Sequence, residues 1–169
     1  GMKMWPFDEH LDRSGGHWIT NEELDEGLKP FRLVREAVGN EINLMADLHT
    51  NWDVPNAIKI ARALKEYNVN WVEDPVRPNV EALTHFRNEV KVPLATGETM
   101  GSASNYLPFL QKGLIDYMMF DPVWIGGITE ALRAGAIADA HQIPVSIHDC
   151  NGPVNLTVGT NLSLAMTNS

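Results

Sequence analysis

Four acids and one histidine stand at the ends of short apolar runs: Asp47, Glu73, Glu98, Asp121 and His148. Their separations along the chain are 26, 25, 23 and 27 residues. The runs that carry them, "EINLMADLH", "VNWVED", "VPLATGE", "LIDYMMFD" and "IPVSIHD", read as buried strands. A carboxylate at the end of a buried strand is costly unless a cation, a metal or hydrogen-bond donors compensate it. Any one of these acids has an ordinary use as the N-cap of a following helix. Five ionisable groups, each at the same end of its strand and evenly spaced, describe a site. Three converging carboxylates cannot share a small space without a cation. All-oxygen donors favour a hard ion, Mg2+ ahead of Ca2+ or Mn2+. The cluster His148-Asp149-Cys150 invites a zinc site or a cysteine nucleophile instead. The alternation of neighbouring strand residues to opposite faces, and a single cysteine in the chain, count against both.

The elements that must position these groups alternate. Helices are predicted between the strands, over "DVPNAIKIARALKEYN" from Asp53, "NVEALTHFRNEV", "SASNYLPFLQKG" and "GITEALRAGAIADAHQ". Asp53 is placed as an N-cap, and Ile128, Leu132 and Gly135 are placed on one side of their helix. Near the start, "MKMWPF" reads as a strand, and Thr20 to Glu23 make a capping box for a helix to about Val38, which Pro30 is expected to break or kink. Strand–helix alternation gives right-handed βαβ units and a parallel sheet. An open doubly wound sheet and a (β/α) barrel compete. No glycine-rich dinucleotide turn follows any strand. A closed ring also brings one ionisable residue per unit to a common mouth.

Composition bounds the partners. The chain has 169 residues, 44% hydrophobic, and a net charge of −9, which speaks against nucleic acid or an anionic membrane as the main partner. No apolar run is long enough to span a bilayer, and no secretory signal is legible. One cysteine, Cys150, allows no internal disulfide and fits a reducing compartment, so a cytoplasmic location is expected.

The set Asp47-x-His49, "VEDP", "ATGE", "FDPVWIGGITEA" and "IHD" resembles the barrel domain of the enolase superfamily, in its mandelate racemase-like branch. Within that branch it is most similar to acid-sugar dehydratases of the galactonate and mannonate type. The resemblance covers nearly the whole chain. It implies an α/β fold, a partial (β/α)8 TIM-type barrel of about six parallel strands, as one domain over residues 1–169. It implies Mg2+ on Asp47, Glu73 and Glu98, a His148–Asp121 dyad that takes an α-proton, and His49 as general acid. It implies a small sugar-acid substrate and loss of water from it. Two departures matter. Where many racemases of this branch carry a Lys-x-Lys pair, this chain has Lys3-Met4-Trp5, and a tryptophan cannot be a base. This favours dehydration over racemisation or epimerisation. A whole barrel of this type needs about 250 residues. The chain is therefore expected to be a fragment covering strands two to seven, without the N-terminal capping domain and the last strand. Such a fragment is expected to be inactive alone, with a non-catalytic metal-binding role as a further possibility, and to associate with copies of itself through its open edges.

Overall fold

The computed structural model describes residues 1–169 and divides into two compact units, Gly1–Leu94 and Ala95–Ser169. In the first, β1 (Met2–Met4), β2 (Leu44–Asp47) and β3 (Trp71–Glu73) pair in parallel in chain order. In the second, β4 (Leu94–Thr96, its first residue closing the first unit), β5 (Tyr117–Phe120) and β6 (Val145–Ile147) do the same. Every strand is followed by helix, which is why the strands are apolar on both faces. Leu44, Ala46, Val72, Leu94, Met118 and Phe120 are all fully buried.

The helices of the first unit are α1 (Leu11–Ser14), α2 (Asn21–Val38), α3 (Val54–Leu64) and α4 (Val80–Glu89). The capping box at α2 is present. Thr20 Oγ1 accepts from the Glu23 amide at 3.1 Å, and Glu23 Oε2 accepts from the Thr20 amide at 2.9 Å. Of the break or kink expected at Pro30, a break does not occur, since α2 continues to Val38. The carbonyl that its missing N–H leaves without a donor belongs to the exposed Glu26, where water can serve it. Burial of Leu28 and Phe31, the latter stacked on Phe7, holds the two halves of the helix in register. Asp53 occupies the N-cap position of α3 but caps nothing with its side chain, because its Oδ2 lies 2.7 Å from His17 Nδ1.

The second unit holds α5 (Leu107–Gln111), α6 (Ile128–Ala140) and α7 (Pro153–Ala165). The sequence reading of α6 needs correction. Ile128 and Leu132 are exposed, and the buried face is Ala131, Ala134, Gly135 and Ala138. Small residues decide this face because the backbone approaches closely. A Cβ on Gly135 would lie 2.8 Å from Met166 Sδ.

Candidate active site

Strand register builds the first cluster. Lys3 pairs with Met45, and Met45 with Trp71, so these three share a layer of one face. Asp47 pairs with Glu73 in the next layer on the same face. A lysine side chain is long enough to climb one layer. Lys3 Nζ lies 2.8 Å from Asp47 Oδ2 and also bonds Glu73 Oε1. Trp71 Nε1 donates to Glu73 Oε2 at 2.9 Å. Both carboxylates are fully buried. Burial, and then the neighbouring charge of Asp47, push the Glu73 carboxyl up to about 8 against the pull of Lys3. Burial alone would lower the Lys3 ammonium, but Glu73 and Asp47 outweigh it and push its pKa up to about 12.

His49 closes this cluster. Its amide donates to Asp47 Oδ1 at 3.1 Å, its Nε2 lies 3.3 Å from Asp47 Oδ2, and its Nδ1 lies 2.6 Å from Asp8 Oδ2. The edge of Trp5 meets its ring at 6.1 Å. His49 and Thr50 both sit in the left-handed region, at φ 49° and 58°. A β-branched residue there costs about 1–3 kcal/mol and must be held. The Thr50 amide is held by the Asp74 carbonyl at 2.7 Å. Asp74 is itself buried.

The second unit brings together the other three expected residues. β5 and β6 pair Phe120 with Ile147, so Asp121 and His148 emerge side by side one residue later. His148 Nδ1 lies 3.0 Å from Asp121 Oδ2, and His148 Nε2 lies 3.3 Å from Glu98 Oε2. Asp121 is fully buried. Its Oδ2 accepts from Asn151 Nδ2 at 2.7 Å and Asn155 Nδ2 at 3.1 Å, and its Oδ1 from the Val123 amide at 2.8 Å. Trp124 lies 5.2 Å from the His148 ring. Glu98 follows Gly97, whose φ of 118° few other residues adopt. A Cβ on Gly97 would come within 2.6 Å of Tyr106 Cε1 and 2.8 Å of the Met119 carbonyl oxygen. That is the physical content of the "ATGE" motif: the glycine lets Tyr106 pack beneath the turn that presents the acid.

Ligand atoms of Asp121, His148 and Cys150 all lie within 4.8 Å of one another. His148 and Cys150 are two residues apart, a spacing that strand alternation places on one face, whereas Asp149 between them is outside the group. Desolvation, and then the charges of Asp121, Glu98 and Asp149, push the Cys150 thiol pKa up.

Sequence reasoning missed Lys3, Asp8, Asn151 and Asn155. Counting strand layers from Asp47 back to Lys3 would have found the lysine. The other three sit on a short 3-10 helix (Pro6–His10), a loop and an α-helix, where no period marks them. The donors present suit a hard cation. Glu98 Oε2 in the second unit is a buried oxygen that accepts no directed hydrogen bond, Asp47 Oδ2 in the first is paired with the Lys3 ammonium, and the acids offer oxygen only.

A profile of the family described as Enolase C-terminal domain-like matches residues 1–169. The chain belongs to that family. A solved enolase of the mandelate racemase subgroup from Agrobacterium tumefaciens is 36% identical with a TM-score of 0.96, over 99% of this chain and 47% of that one. An enolase structure from Sargasso Sea environmental sequence gives 36% and 0.94, over 99% of this chain and 46% of the other. The enolase-type fold class is thus as expected, α/β and part of a (β/α)8 barrel. Among curated relatives, the D-gluconate dehydratase of Thermoproteus tenax is 31% identical over 86% of this chain and 29% of its own length. The D-gluconate/D-galactonate dehydratase of Picrophilus torridus is 28% identical over 99% of this chain and 42% of its own length. The chain spans less than half the length of these relatives. No helix is long and apolar enough to cross a membrane.

Proposed function

We propose that this chain is the catalytic barrel portion of an acid-sugar dehydratase, which takes the α-proton from a sugar-acid carboxylate and then expels a β-hydroxyl as water. The observation that carries the reading is the His148–Asp121 pair at the ends of adjacent strands, 3.0 Å apart. His148 takes the α-proton. Asp121 fixes the ring and favours the imidazolium that forms, while Asn151 and Asn155 fix Asp121 in turn. His49, oriented by Asp8, protonates the departing hydroxyl.

Asp47, Glu73 and Glu98 are the carboxylates that would hold Mg2+ in this reading. When bound, the ion supplies positive charge to the substrate carboxylate, on which negative charge builds as the proton leaves. The relatives named as dehydratases support this class over a racemase, as does Trp5 where a second base would stand. The chain taken alone is proposed to be inactive and to associate with further copies through the outer edges of β1 and β6. The test is a panel of hexonates, pentonates and aldarates offered to the full-length protein with Mg2+, with detection of 2-keto-3-deoxy products. Formation of such a product, lost in His148→Asn, supports the reading. Turnover of none of the panel, or racemisation without loss of water, overturns it.

A further inference from the structure

The second unit gathers three unlike metal donors in one place. Asp121 offers a carboxylate oxygen, His148 a ring nitrogen and Cys150 a sulfur, all within 4.8 Å of one another. Oxygen, nitrogen and sulfur together are the donor set of a borderline-soft ion, and Mg2+ has no use for a thiolate. In a tetrahedral zinc site, ligand atoms lie roughly 3.3–3.8 Å apart. The cluster needs to contract by only about 1–1.5 Å to reach that geometry.

The three residues differ in how freely they move. Asp121 is fully buried and locked by Asn151, Asn155 and the Val123 amide. His148 is held on one side by Asp121 and faces Glu98 on the other. Cys150 is exposed, on the short loop between β6 and α7, two residues before Gly152 with its φ of 98°. Two donors are thus preset and the third sits on an exposed loop. Glu98 and Asp149 add negative charge around them, which a divalent cation neutralises. Glu98 Oε2 is a buried oxygen with no directed hydrogen bond, 3.3 Å from the His148 ring.

We propose that Asp121, His148 and Cys150 form a second metal site, selective for Zn2+ and similar ions over Mg2+. Binding releases the thiol proton to solvent and forms a sulfur–metal bond, leaving one coordination position for water. Zinc there engages the His148 ring and withdraws it from proton transfer, so the site is inhibitory. The inhibition rests on the role given to His148 above, whereas the binding does not.

The test uses Co2+ alone as a spectroscopic stand-in for zinc, on the chain as it exists and with no substrate. The expected result is a near-ultraviolet thiolate-to-cobalt charge-transfer band that disappears when Zn2+ is added and survives millimolar Mg2+. Cys150→Ser, at an exposed position, should keep the native circular dichroism yet lose the band and weaken Co2+ binding at least about tenfold. Asp47→Asn should keep the band, because Asp47 belongs to the other cluster. The proposal is overturned by absence of the band in the unaltered chain, by equal Co2+ affinity in Cys150→Ser, or by loss of the band in Asp47→Asn. None of these readouts requires turnover, so failure of the dehydratase reading leaves them unchanged.

Discussion

Lys3 Nζ lies 2.8 Å from Asp47 Oδ2 and at once bonds Glu73, so one ammonium serves two buried carboxylates of adjacent strands. Removing the cation would leave both acids uncompensated. Breaking a buried pair costs about 3–5 kcal/mol, and the partial exposure of Lys3 brings that to about 2–3 kcal/mol. Lys3→Met should therefore lower the melting temperature clearly, and Mg2+ should restore part of the loss by binding only the folded chain. An unchanged melting temperature in Lys3→Met without metal would contradict this account of the cluster.

Gly97 should tolerate no side chain. Its φ of 118° is hostile to other residues, and a Cβ would collide with Tyr106 and with the Met119 carbonyl. Gly97→Ala is expected to destabilise by more than about 2 kcal/mol in urea denaturation. A variant as stable as the unaltered chain would show that the Glu98 turn relaxes, and the packing argument would fail.

Asn155 is buried and donates to both Asp121 and Asp149. Asn155→Ala takes one donor from a fully buried carboxylate, at a cost of about 1–3 kcal/mol. In the full-length protein it should lower kcat more than it raises KM, because Asn155 acts through Asp121 on the base rather than on substrate. A pure KM effect would place Asn155 against the substrate instead.

The positions of the ionisable residues were legible because strand ends can be read from apolar runs and because four spacings near one value exceed what scattered N-caps produce. The Thr20–Glu23 cap was equally legible, since its chemistry lies within four residues. Other features were not. Ile128 and Leu132 obey helical spacing but face solvent, because glycine and alanine, which carry little hydrophobic signal, set the close face of α6. Pro30 in α2 shows a local rule overridden by tertiary packing of Phe31 on Phe7. Asp8 reaches the site from a single short 3-10 helix and Asn151 from a loop, for which sequence has no ruler.

Exposed Val154, Leu156 and Leu164 on α7 and Ile128 and Leu132 on α6, with β1 and β6 as end strands, give the chain surface that water does not favour. Sedimentation at micromolar concentration should show a dimer or larger species. A monodisperse monomer would count against association of the chain with itself.

The division of labour between the two histidines is tested most directly by α-proton exchange with solvent deuterium in the full-length protein. His148→Asn should lose exchange and dehydration together, each by about 10²- to 10⁴-fold or more. His49→Asn should lose dehydration while the α-proton still exchanges. Exchange that persists in His148→Asn and vanishes in His49→Asn would contradict the assignment and reverse the roles of base and acid.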